Sequence, residues 1–212
     1  MITHIYHQPQ FGEDWFTYPR LYQDMVKRFP SGSTFVEIGA WKGKSSAYMS
    51  VEIANSGKKI DFYCIDTFEG SVEHRNNPEL SQLYDIFKSN MKPVEDYYTD
   101  MKMTSMEAVK KFENESVDFV FIDGSHEYKD IKDDITYWLP KVKSGGVLAG
   151  HDYYFPPQPP SWGLRNSVNF NLTLETDEYY KSNKSSAYRA VGEILGTQNI
   201  IATQDCYVYE KK

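Results

Sequence analysis

Short apolar runs alternate along this chain with stretches whose apolar positions recur every three or four residues. The runs at 34–38, 60–65, 97–99, 117–122 and 146–149 have the length and β-branched content of strands. Between and after them, helical spacing predicts helices over 45–55, 79–91, 105–112, 127–139 and 186–195, and Pro140 ends the fourth of these. The alternation is that of βαβ units, which build a mostly parallel sheet with helices on both faces. Two last strands, 200–203 and 207–209, are separated by a tight polar "QDC" and predict an antiparallel hairpin. The expected fold is therefore α/β and doubly wound, with seven strands in one domain over 1–212. Two segments break the rhythm. Residues 1–30 hold a helical piece at 21–29, and residues 153–185 are rich in Pro, aromatics and Asn without a period. An irregular insert after a strand's carboxyl end suits a lid or substrate loop, and equally a contact in a homo-oligomer.

Composition narrows the class. A formal net charge of −7 and scattered Lys and Arg argue against a nucleic-acid partner, which needs clustered cations. No run approaches the ~20 apolar residues of a membrane span, and the first residues lack a signal peptide's apolar stretch. Cys64 and Cys206 fit no zinc or redox spacing. A soluble cytoplasmic protein with no membrane partner is expected.

The densest chemistry lies in "TFVEIGAWKGKSS", where a strand enters a glycine turn and then a helix. A phosphate-binding loop has four residues between its glycines, whereas Gly39 and Gly43 enclose three. The "DFVFID" strand also resembles the acid-ended strand of such proteins, so a phosphotransferase is the rival to weigh. A dinucleotide fingerprint fails as well, because Trp41 stands where its second glycine must be. Glu37 at the end of the first strand suits a ligand amino group and would repel a polyphosphate. Asp66 ends the second strand, a place from which an acid binds ribose hydroxyls. Amine plus ribose, without a phosphate cradle, points to S-adenosylmethionine.

"FVEIGAWKGKSS", "FYCIDTFEG" and "DFVFIDGSHEYKDIKDDITYWLPKVKSGGVLAGHDY" together resemble class I S-adenosylmethionine-dependent methyltransferases, and among them the small O-methyltransferases akin to macrolide-sugar enzymes. The resemblance implies a Rossmann-like sheet of strand order 3-2-1-4-5-7-6. It implies cofactor contacts at Glu37, Gly39, Ala40, Trp41, Gly43, Ser45, Asp66, Thr67, Ser105 and Asp123, with a small hydroxylated molecule, such as a sugar, as acceptor.

An aliphatic hydroxyl barely ionises at neutral pH, so its proton must be removed or its pKa lowered, by a base or by a divalent cation. Asp123, His126, His151 and Asp152 all fall at strand carboxyl ends, where open sheets place their ligand crevice. The resemblance implies His126 as general base, with Asp123 and the 151–152 pair as ligands of Mg²⁺ or Mn²⁺. His151 stands where the metal-dependent relatives carry an acid. Imidazole suits Mn²⁺ and later metals better than Mg²⁺, so a different metal, a second base and a metal-free site all stay open. Taken singly, Asp123 and Asp152 could instead be helix caps. Of the other candidates, His4 and His7 are expected in solvent, His74 in a loop and Trp138 in the core. A methyltransferase-fold protein without turnover is the remaining alternative.

Overall fold

The computed structural model describes residues 1–12, 14–71, 74–153, 186–203 and 205–212, so nearly all of the aromatic-rich insert expected over 153–185 lies outside the described residues. The elements run α1 (Pro19–Arg28), β1 (Ser33–Ile38), α2 (Lys44–Ser56), β2 (Ile60–Asp66), α3 (Leu83–Met91), β3 (Thr99–Lys102), α4 (Ser105–Ala108) and β4 (Val117–Ile122). They continue with α5 (Tyr128–Trp138), β5 (Val142–Gly150), α6 (Ser186–Leu195), β6 (Ile200–Thr203) and β7 (Cys206–Glu210). One seven-stranded sheet has the order β3-β2-β1-β4-β5-β7-β6, as expected. It is parallel except at β7, which runs antiparallel to both β5 and β6.

Strand side chains alternate between faces, so each central strand feeds two cores. Phe35, Phe119 and Phe121 join residues of α1, α2 and α3 on one side. Val36, Val120 and Ile122 join residues of α5 and α6 on the other. β1 and β4 are continuous apolar runs because both of their faces are covered.

Several boundaries differ from the sequence reading; the helix expected over 79–91, for one, is α only from Leu83, after a 3-10 turn over Leu80–Gln82. The third strand is Thr99–Lys102, not 97–99: a 3-10 turn over Lys92–Tyr97 takes up Tyr97, and Tyr98 is the extended residue that follows it. β3 is the sheet's edge, so polar residues can form it. β5 begins at Val142 because a register shift between Val117 and Phe119 lets its polar start pair with β4. The helix expected over 105–112 is α only to Ala108, started by a Thr104–Glu107 capping box, and tightens to 3-10 over Val109–Lys111. Pro140 ends α5 as expected, just inside a 3-10 turn over Leu139–Lys141. Among the described residues, no helix is long and apolar enough to cross a membrane.

One carboxylate inside this fold carries unusual weight. Glu37 of β1 is 1% exposed. It accepts a hydrogen bond from the Tyr22 hydroxyl of α1 at 2.7 Å and another from the Ser46 hydroxyl of α2. Burial pushes its carboxyl up to about 7, against the pull of the Ser46, Ser45 and Tyr22 donors. In the unfolded chain the group titrates near its ordinary value of 4.5, so the folded state holds the proton more tightly. The stabilisation from this group is then complete below about pH 4.5 and is lost as pH rises through 7. Relative to Glu37→Gln, the wild-type protein should lose stability between pH 5 and 8, by about 3 kcal/mol at most. Denaturation curves of both proteins across that range check this, and a pH-independent gap would contradict it.

Candidate active site

The carboxyl ends of β1 and β4 meet at one glycine. Gly39 has φ +92°, and a Cβ there would lie 2.0 Å from the Asp123 carbonyl oxygen and 2.8 Å from Cα of Gly124. Only a residue without a side chain lets the two loops touch. The bend after Gly39 is closed by hydrogen bonds. The N–H of Gly39 donates to Ile65 O, and that of Gly43 donates to Ala40 O. The N–H groups of Ala40 and Trp41 both donate to Asp66 Oδ2 at 2.8 Å, and Phe68 N–H donates to Asp66 Oδ1 at 2.7 Å.

This arrangement decides the question raised by the Gly-Lys-Ser ending. A phosphate loop works by aiming free N–H groups at an anion. Here a protein carboxylate already occupies two of them, so the bend is filled by its own anion. Asp66 is thereby a clasp for the loop. Three of the roughly four lone-pair positions of a carboxylate are used, which leaves one for a ribose hydroxyl. Gly43 caps α2 in the left-handed region, where a Cβ would strike Met91.

The other cofactor candidates divide. Thr67 accepts from Glu69 N–H, a local turn bond. Ala40 and Ser45 are buried. Glu37, expected to meet a ligand amino group, is enclosed between α1 and α2 and offers no surface to a ligand. Ser105, expected beside adenine, takes part in a structural network: Trp138 Nε1 donates to its hydroxyl at 2.7 Å, and the hydroxyl bonds the buried Asp134. Trp138 itself is core, as expected.

At the ends of β4 and β5 the titratable groups do converge. Ligand atoms of Asp123, His126 and Asp152 all lie within 4.8 Å of one another. His126 Nε2 stands 2.7 Å from Asp152 Oδ2. His151 was expected as a metal ligand, yet it sits behind this group. Its Nδ1 faces Asp123 Oδ1 at 3.4 Å and Asp152 Oδ1 at 3.5 Å, while its Nε2 pairs with the Thr17 hydroxyl at 3.1 Å. Its side chain is 9% exposed, against 36% for His126. Burial pulls the His151 imidazole down, and the adjoining Asp123 with the charges of Asp152 and Asp205 outweighs this and leaves it above its usual range. Of the two histidines, His126 shares the three-residue group with Asp123 and Asp152, and His151 packs against both acids. β5 ends at Gly150, and Asp152 joins the cluster from a left-handed turn at φ 56° just beyond it.

Two contributors escaped the sequence reading. The Tyr18 hydroxyl donates to Asp123 Oδ2 at 2.6 Å, and Thr17 holds His151, so the segment before α1 reaches across the sheet to the site. Its aromatic "DWFTYPR" was visible, but no period tied it to a strand end. The same segment places Trp15, 51% exposed, near Trp41 and His74, whose rings lie 4.4 Å apart. His7 is exposed as expected; His4 is not, being stacked on Tyr48 at 4.4 Å and paired with Glu52 at 2.8 Å. Trp41, Phe68 and Asp152, three of the four described non-glycine residues with positive φ, stand just beyond the carboxyl ends of β1, β2 and β5. Backbone strain of this kind gathers where a site holds its groups against local preference.

Comparison with known proteins points the same way. The model of a methyltransferase domain matches residues 36–153, more than half of the chain. An uncharacterised protein of Sinorhizobium fredii is 28% identical over 117 residues, which is 55% of this chain and 13% of that protein. One from Acanthamoeba polyphaga mimivirus is 24% identical over 146 residues, 68% of this chain and 62% of its own length. The chain therefore spans less than two thirds of either relative. Among solved structures, the O-methyltransferase NovP superposes with a TM-score of 0.62 at 14% identity, covering 92% of this chain and 79% of that one. A Corynebacterium glutamicum protein gives 0.59 at 15% identity, covering 91% and 79%. The cofactor-bound protein Rv0187 from MTB gives 0.55 at 12% identity, covering 89% and 78%. Such identities establish a shared fold, while the domain match rests on sequence. The chain belongs to the family of S-adenosylmethionine-dependent methyltransferase domains.

Proposed function

We propose that this chain moves the methyl group of S-adenosylmethionine onto a hydroxyl of a small acceptor such as a sugar. The observation that carries the reading is the convergence of Asp123, His126 and Asp152 beside a glycine bend whose N–H groups are already taken by Asp66. An alcohol is the acceptor that needs such a cluster, since its proton does not leave unaided at neutral pH. Gly39–Trp41 would hold the methionine part of the cofactor, and the remaining acceptor position of Asp66 would take its ribose.

In the reaction the acceptor oxygen attacks the sulfonium methyl in line. The C–S bond breaks as the C–O bond forms, and the hydroxyl proton goes to His126. Asp152 orients the imidazole through the 2.7 Å contact and stabilises the imidazolium that results. Asp123, held by the Tyr18 hydroxyl, adds negative charge beside it.

A second reading has its own support in the same three residues. One imidazole and two carboxylates fit a divalent cation, and this mixed donor set suits Mn²⁺ better than Mg²⁺, which prefers oxygen alone. Asp123, His126 and Asp152 would hold it, and it would supply Lewis acidity to the acceptor oxygen. His126 cannot be base and ligand at once, so the two readings separate experimentally. Under the cation reading, a chelator abolishes methyl transfer across a panel of hydroxylated acceptors and Mn²⁺ restores it. Under the base reading, the chelator has no effect.

Replacing His126 by Ala should leave S-adenosylmethionine affinity unchanged and lower the transfer rate by about 10²- to 10⁴-fold; an unaltered rate moves proton removal elsewhere. Asp66→Ala should weaken cofactor binding and also destabilise the fold by about 2–4 kcal/mol, because three backbone N–H groups lose a charged acceptor. Calorimetric titration and urea denaturation read the two effects separately. Binding of ATP without binding of S-adenosylmethionine in that titration would overturn the proposal.

A further inference from the structure

Beside the catalytic cluster, the hydroxyl of Tyr207 is left over. Tyr207 belongs to β7 and is paired with Gly150, the last residue of β5. It is 1% exposed, and among the described residues its hydroxyl meets no hydrogen-bonding partner. A buried donor of this kind is costly unless something accepts from it.

The reach of this side chain is made possible by Gly150. A Cβ at Gly150 would lie 2.5 Å from the Tyr207 hydroxyl oxygen and 2.6 Å from the carbonyl oxygen of Ile122. The tyrosine therefore lies across β5, through the space that a side chain at 150 would fill, and extends to the end of β4. There Tyr207 lines a small cavity together with Asp123, Gly124, Ser125, His126, His151 and Asp152. The cavity has room for about one water molecule, and its wall mixes apolar side chains with polar groups, the setting in which buried water is retained. Burial drives the phenol well above its ordinary range, so the group stays a neutral donor throughout the working pH range.

We propose that the Tyr207 hydroxyl donates to a water held in this cavity, and that the pair props the Gly124–His126 turn from below, making Tyr207 a positioning residue for His126. The positioning role rests on the cation reading of the site given above and falls with it; the water site does not. The water accepts from the phenol and can donate both protons upward, to the acceptors of a site that is predominantly anionic.

Three measurements test this. A crystal structure at about 1.5 Å should reveal an ordered water at the hydrogen-bonding distance of roughly 2.7–2.8 Å from the Tyr207 hydroxyl; an empty cavity, or a protein atom bonded to that hydroxyl, overturns the proposal. Tyr207→Phe removes only the oxygen, and the melting temperature should fall by about 2–4 °C, because a satisfied group is lost. A rise would mean that the hydroxyl was unpaired and sinks the idea. Mn²⁺ alone, titrated against both proteins, should bind the variant about tenfold more weakly, with S-adenosylmethionine affinity unchanged. Equal Mn²⁺ affinities overturn the positioning role. Should the wild-type protein bind no Mn²⁺, the cation reading falls, while the water density and the melting shift still decide the water site.

Discussion

The contact between Gly39 and the backbone of Asp123–Gly124 is what the rest of this site depends on. β1 and β4 are neighbours in the sheet, so their carboxyl ends leave side by side. Neighbouring strands are only ~4.8 Å apart, and two loops leaving them meet only if one lacks a side chain at the crossing. Gly39 is that residue, and its positive φ turns the chain away before it reaches Asp123. The donor-side bend and the cluster at the end of β4 are therefore parts of one contact. Any substituent at 39 would force the two loops apart.

A second layer of polar contacts keeps that meeting in register. Three hydroxyls from the segment around α1 reach the sheet: Thr17 to His151, Tyr18 to Asp123 and Tyr22 to Glu37. Each is a neutral donor or partner to a group that would be costly to bury alone. Tyr18 and Tyr22 also pack their rings against Phe121, so the same side chains contribute apolar burial and hydrogen bonding. The N-terminal segment is thus not an appendage to the sheet. It supplies the acid at the end of β4 with its closest hydrogen bond, and it covers the face of β1 that holds Glu37.

Asp66 illustrates how one carboxylate can serve two ends. Its position after β2 is where a ribose acceptor is expected, and its geometry is that of a loop clasp. These are compatible because a carboxylate has more lone pairs than the clasp consumes. The same geometry explains why a Gly-Lys-Ser ending here does not create a phosphate site: the N–H groups have an internal anion.

The strand–helix alternation, the terminal hairpin, the acids closing β2 and β4 and the cluster near 123–126 and 151–152 could all be read from the chain, because period and punctuation are local properties of consecutive residues. What could not be read were the partners. That Glu37 turns into the core toward Tyr22 and Ser46, that Ser105 serves Trp138 and Asp134, and that Tyr18 closes on Asp123 all follow from contacts between residues distant in sequence. The different settings of His126 and His151 have the same origin: residue type announces an imidazole, but only the packing of the strand ends decides that His126 stays open while His151 is enclosed against Asp123 and Asp152.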